Sequence, residues 1–170
     1  VTVDGRTVRL AEGMGTTNGI EVSPDGRILY VNESVQRRIW SFAIDSEGNL
    51  SGKKHFKSFE DHGFDGMRCD VDGNLYVANA YIGLQMITPG GEVTLLTNAY
   101  RGEPINYADD LAVATDGTIY FSDASSKFGA RRIGGSYEAS LLDLMEHGGH
   151  GSIFRYDPSS RETTVVLGGL

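Results

Sequence analysis

Short apolar runs, alternating or β-branched and separated by polar turns rich in Gly and Asp, order most of this chain. Three stretches nearly copy one another: Asn18-Gly-Ile-Glu-Val-Ser-Pro-Asp-Gly, Asp65-Gly-Met-Arg-Cys-Asp-Val-Asp-Gly and Asp109-Asp-Leu-Ala-Val-Ala-Thr-Asp-Gly. Each opens on a carboxamide or carboxylate and reaches an Asp-Gly pair: Asp25-Gly26, Asp72-Gly73 and Asp116-Gly117. Each then runs into an aromatic and β-branched segment, beginning at Ile28, Leu75 and Ile119. The openings at 18, 65 and 109 are spaced by 47 and 44 residues. A period of this size, filled with strand-like segments, predicts an all-β propeller built of four-stranded blades.

The first repeat, residues 18–60, predicts strands over 19–23, 28–32, 38–44 and 54–59. The second, 61–100, predicts strands over 66–70, 75–78, 84–87 and 93–97. The third, 101–170, resumes the plan at 119–123, 152–157 and 163–167, with an insertion over 127–151. Within that insertion, residues 137–147 read as a helix of about three turns, with Leu141, Leu142, Leu144 and Met145 on one face and Gly148 at its end. Residues 1–14 read as a hairpin from the edge of a further blade, turning at Asp4-Gly5, with Arg6 to Leu10 alternating as a strand. About three blades result. Three cannot close a ring, since complete propellers have roughly four to eight blades, and an open fan leaves strand edges bare. Two copies pairing as a homodimer, or a longer chain, would complete the circle.

Composition narrows the partners more than the fold. The net charge of −8 argues against nucleic acid or an anionic membrane surface. No apolar run approaches a membrane span and no signal peptide opens the chain, so a cytoplasmic protein is expected. Cys69 is the single cysteine and reads as a small hydrophobe within a strand. Asn32-Glu-Ser34 matches a glycosylation acceptor, a triplet common by chance. Trp40, Phe42 and Tyr156 read as core between blades, and Arg131-Arg132 as a solvated corner.

In a propeller the starts of the innermost strands converge on one mouth of the central channel. Asn18, Asp65 and Asp109 occupy that position in successive repeats. Their oxygens, with no histidine or thiolate among them, suit a hard cation, with Ca²⁺ the natural occupant and other divalent ions also admissible. Asp and Asn also begin strands merely because they cap turns, so three in register carry more than one would. Asp25, Asp72 and Asp116 precede Gly in turns at the far end and read as structural. His147 and His150 flank glycines after the helix; either lines the mouth as a base or simply sits at a helix C-terminus.

Thr17 to Val31 and Asp65 to Ala78 closely resemble the gluconolactonase (regucalcin, senescence marker protein 30) family. That resemblance covers residues 1–78 and implies a six-bladed, metal-dependent lactonase whose metal is held by a Glu, an Asn and an Asp. Asn18 and Asp65 match the family's Asn and Asp, whereas its metal Glu, near the start of the first blade, has no visible counterpart. Residues 80–170 resemble the strictosidine synthase-like proteins through Tyr107-Ala-Asp-Asp-Leu, Ile119-Tyr-Phe-Ser-Asp, Glu146-His-Gly-Gly-His-Gly and Phe154-Arg-Tyr-Asp-Pro. That group is also six-bladed, and Asp109 stands where its relatives often carry a calcium-ligating Asn. The catalytic Glu of strictosidine synthase belongs to a later blade than those seen here. The leading expectation is half of a six-bladed ring: a calcium-dependent hydrolase of the lactonase type acting on a small lactone or ester. Asn18, Asp65 and Asp109 would hold the metal, with Asp110 and His147 as candidates for the base. The rival readings are a non-catalytic propeller segment for binding or assembly and, ranked below both, a strictosidine synthase-like condensing enzyme.

Overall fold

The computed structural model describes residues 4–61 and 63–170. Three four-stranded antiparallel meanders follow one another along the chain. Blade one is β1 (Thr17–Val22), β2 (Ile28–Glu33), β3 (Arg38–Ile44) and β4 (Leu50–Ser58). Blade two is β5 (Phe64–Cys69), β6 (Leu75–Asn79), β7 (Gly83–Ile87) and β8 (Val93–Thr97). A two-stranded hairpin, β9 (Ala99–Tyr100) and β10 (Glu103–Pro104), leads into blade three. That blade is β11 (Ala108–Val113), β12 (Ile119–Asp123), β13 (Ser152–Asp157) and β14 (Glu162–Gly168), with α1 (Ala130–Ile133) and α2 (Ser136–Glu146) inserted between β12 and β13. The innermost strands β1, β5 and β11 lie side by side in sequence, so the sheets fan out as three blades of a β-propeller.

The turns explain why the Asp-Gly pairs recur. Gly26, Gly73 and Gly117 take φ of 71°, 83° and 85°, and each donates its N–H back to the carbonyl of Ser23, Asp70 or Ala114. Only glycine adopts that backbone without a Cβ penalty. The Asp25 and Asp116 carboxylates accept the N–H of Arg27 and Thr118 and close their turns. In blade two Asp70 does this instead, accepting from the Asp72 and Asn74 N–H groups.

Both contacts between blades use the same code. Tyr30 and Ile39 of blade one pack on Phe64, Met67, Leu75 and Val77 of blade two. Tyr76, Ala78 and Leu84 of blade two pack on Leu111, Ile119, Phe121 and Tyr156 of blade three. Strand register makes Tyr30, Tyr76 and Tyr120 equivalent, paired with Glu21, Arg68 and Ala112. Tyr30 and Tyr76 are 5% and 8% exposed, whereas Tyr120, with no blade beyond it, is 39% exposed. At the other end of the fan Ile20 is 57% exposed, although its counterparts Met67 and Leu111 are buried.

Several expectations change. Val1 to Val3 lie outside the described residues, and Arg6 to Leu10 form no strand. Alternation becomes a strand only where a free edge supplies hydrogen bonds, and here Val8 and Leu10 instead border an apolar groove over Ile20, Leu29 and Val31. Trp40 is not core: it is half-buried, with the Arg38 guanidinium 4.8 Å and the Lys53 ammonium 4.4 Å from its ring. Phe42 and Tyr156 are buried as expected, and Arg131 and Arg132 are exposed. Asn32 is fully buried, which removes it as a glycosylation acceptor. The expected helix forms as α2, but its leucines are not a packed face. Ala139 is its one buried residue, set against Ala80, Tyr107 and Ala130, while Leu144 and Met145 are exposed. Among the described residues no helix is long and apolar enough to cross a membrane.

Candidate functional site

Each inner strand is bulged at the same place. In blade one Thr17 pairs with Glu33 and Ile20 with Val31, so Asn18 and Gly19 face Asn32 alone. In blade two Asp65 and Gly66 face Ala78, and in blade three Asp109 and Asp110 face Ser122. A bulge sets two residues against one and re-aims their side chains. It therefore turns Asn18, Asp65 and Asp109, the first residue of each bulge, out of the strand alternation and toward one another.

The three meet. The Asp65 carboxyl shares a hydrogen bond with that of Asp109 and accepts one from the Asn18 carboxamide. Burial, then the bond to Asp109 and its charge, push the Asp65 pKa up to about 7; the Asn18 bond acts the other way and Asp110 adds to the rise. Asp65 is therefore harder to ionise than an ordinary carboxyl. Among the described residues no three His, Cys, Asp or Glu side chains group as a metal site. The donors here are two carboxylates and one carboxamide, the all-oxygen set that a hard cation takes.

A buried polar side chain at the end of the neighbouring strand stands behind each bulge; Glu33 and Asp123 accept from the entering loop, whereas Asn79 donates to Asp61. Glu33, Asn79 and Asp123 hold equivalent positions and are fully or almost fully buried. Burial works against the Glu33 charge, but the Gly15 N–H and the Arg38 side chain outweigh it and hold its carboxyl below the usual range. Burial pushes Asp123 up to about 6, opposed by the N–H groups of Tyr107 and Asn106 that it accepts. These residues anchor the loops that enter the inner strands.

Beside Asn18 and Asp65 lies a cavity of about 520 Å³. Asn18 and Asp65 form part of its wall, with Phe64, Tyr81 and Tyr107 as aromatic neighbours. The first turn of α2, from Ser136 to Ser140, closes one side. Buried Tyr107 donates its hydroxyl to the Ser136 carbonyl at 2.8 Å, and Ser125 Oγ donates to Asp143 Oδ1 at 2.7 Å. The inserted helix is thus tied down at its first turn by Tyr107 and toward its C-terminal end by Ser125. His147 caps that end with φ of 52°, about 16 Å from the helix start along its axis, and is not among the lining residues. His150 bonds Glu146. Asp110 belongs to the bulge but not to the cavity wall. Its carboxylate accepts the Leu111 N–H at 2.8 Å, lies over Gly66 and faces Arg68 at 3.5 Å.

Residues 1–94 match the SMP-30/gluconolactonase/LRE-like region, and residues 109–170 match strictosidine synthase. The chain belongs to the SMP-30/gluconolactonase/LRE-like family. The changeover between the two patterns lies after residue 94, later than the motifs around Ala78 suggest. This family member is 31% identical over 169 residues to the protein strictosidine synthase-like 3 of Arabidopsis thaliana, covering 94% of the chain and 40% of that relative. Among solved structures it is similar to a gluconolactonase from Xanthomonas campestris, with 21% identity and a TM-score of 0.70 over 94% of the chain and 50% of the other. A calcium-binding regucalcin from Agrobacterium tumefaciens matches with 21% identity and a TM-score of 0.58 over 69% of the chain and 41% of the other. The SMP-30/gluconolactonase/LRE-like chain thus spans about two fifths of this curated relative and two fifths to one half of these two propellers.

Sequence spacing alone brings out the three openings but not the residues behind them. Asn32, Glu33, Asn79 and Asp123 each end a β-branched run, a position that reads as the start of a turn. The signal was present in the repeat itself: every second strand closes on a polar side chain.

Proposed function

We propose that this chain carries the metal-holding part of a calcium-dependent hydrolase of the lactonase type, acting on a small lactone or ester. The observation that supports the reading is the meeting of Asn18, Asp65 and Asp109 on three successive bulges, with Asn18 and Asp65 in the wall of an aromatic-lined cavity. Bound there, the cation would supply a Lewis acid for the substrate carbonyl. Asn18 would present its carboxamide oxygen, and Asp65 and Asp109 their carboxylates. Phe64, Tyr81 and Tyr107 would shelter the apolar part of a small substrate from water, while the first turn of α2 limits its length. Neither Asp110 nor His147 lines the cavity, so neither gains support as the base. Further blades, from a second copy or a longer polypeptide, would supply the remaining wall.

The test is calorimetric titration of the purified protein with Ca²⁺, beside hydrolysis of aliphatic lactones followed by acid release. Binding with about 1:1 stoichiometry that Asp65→Ala abolishes, together with calcium-dependent hydrolysis, is expected. Binding of no divalent cation, or hydrolysis unchanged in Asp65→Ala, overturns the proposal.

A further inference from the structure

Asn32 does something that neither of its counterparts does. It stands opposite the blade-one bulge, as Ala78 and Ser122 stand opposite the other two. Its Oδ1 accepts the Gly19 N–H at 3.1 Å, satisfying the bulge residue within its own blade. Its Nδ2 donates to the Asp65 carbonyl at 2.8 Å, in the next blade. Ser122 reproduces the first bond only, since its Oγ accepts the Asp110 N–H at 3.0 Å; Ala78 can make neither. The Asn32 side chain is fully buried, so water cannot substitute for either partner.

The two bonds also fix the orientation of the amide. Flipped, its NH₂ would face the Gly19 N–H and its oxygen the Asp65 carbonyl, setting donor against donor and acceptor against acceptor. The contact has no slack: a Cβ at Gly19 would lie 2.3 Å from the Asp65 carbonyl oxygen and 2.7 Å from Asn32 Nδ2. One planar group therefore ties the backbone just after Asn18 to the backbone of Asp65.

We propose that Asn32 is a positioning residue that holds Asn18 and Asp65 in the mutual placement a cation needs. This role rests on the reading of those residues as ligands. It acts through the main chain and needs no contact between Asn32 and the ion. Outer partners that orient ligands characteristically change metal affinity by about 10–100-fold when removed.

The repeat itself suggests the variants. Asn32→Ser copies blade three, keeping an acceptor for Gly19 and losing the tether to Asp65; Asn32→Ala copies blade two and loses both. Calcium affinity by calorimetry, melting of the chelated protein, and amide hydrogen exchange over residues 64–67 without cation are measured for each. In Asn32→Ser, a melting temperature a few degrees below wild type, faster exchange at 64–67 and calcium binding at least 10-fold weaker are expected. Asn32→Ala should add a further loss of melting temperature to the same weakening. Asn32→Ser binding calcium within about threefold of wild type, or exchange at 64–67 unchanged, overturns the role while leaving the ligand assignment standing. A wild-type protein that binds no divalent cation overturns the ligand assignment, and this role with it.

Discussion

Asp65, its pKa raised by burial and by Asp109, should make one part of this fold's stability fall as pH rises. A carboxyl whose pKa rises on folding contributes stability that is fully present below its unfolded value and lost as pH climbs through the folded value. For Asp65 the window runs from its ordinary 3.8 to about 7. Taken at face value, the shift corresponds to about 4 kcal/mol. Asp65 is only half-buried beside an open cavity, and solvent screening reduces this to about 1–2 kcal/mol. At the sensitivity of a chain of this size, that amounts to a fall in melting temperature of about 2–8 °C between pH 4 and pH 8. Asp123, raised to about 6, falls in the same window, so the slope must be attributed by difference. Asp109→Asn removes the facing charge and leaves Asp123 untouched. Calorimetric melts in chelator at half-unit steps should show the variant matching wild type near pH 4 and melting about 2–4 °C higher at pH 8. Calcium at pH 8 should then raise wild type by more than it raises the variant, whose carboxamide is a neutral ligand. Parallel pH curves for the two proteins, or an Asp109→Asn protein less stable at pH 8, would refute the reasoning.

Other perturbations probe the frame around the site. Gly66→Ala places a Cβ 2.0 Å from Asp110 Oδ1 and 2.8 Å from its Cα; a loss of about 1–3 kcal/mol in urea unfolding is expected, from overpacking between blades. Phe121→Ala opens a cavity in the contact between blades two and three and should cost about 3–5 kcal/mol by the same measurement. Tyr107→Phe deletes the bond to the Ser136 carbonyl, with a small stability cost of about 1 kcal/mol. Faster proteolytic cleavage within 127–151 is its diagnostic readout, and unchanged cleavage would mean that α2 is held by other contacts.

How much of this is visible in the residues depends on how local its cause is. The Asp-Gly turns, the strands after them and the inserted helix follow from short-range rules, and β3, β8, β12 and β13 fall on the expected residues. Whether alternating residues find a ladder depends on a neighbouring edge, which is why Arg6 to Leu10 read as a strand and are not one. The convergence of Asn18, Asp65 and Asp109 is legible because a repeat carries geometry with it. The bulge that aims them is not, since two residues facing one is a property of a pair of strands. Asp110 illustrates the result: adjacent to a site residue in sequence, it holds the position of Gly19 and Gly66 and leaves the cavity. Asn32 was concealed for the same reason, because its second partner is 33 residues away in another sheet.

The tyrosine face of each blade and the aliphatic face of the next give the fan a direction. Tyr120 is exposed at one end and Ile20 at the other, so a further blade packed by the same code would meet the fan head to tail, like a monomer of a polar filament. Nothing in that joint counts blades. The number around the axis must come from the angle each wedge subtends, set by how close the inner strands approach where Gly19 and Gly66 lack a side chain. Enlarging either glycine would thus act on the curvature of the assembly as well as on its stability, and through curvature on how far apart the ligands stand.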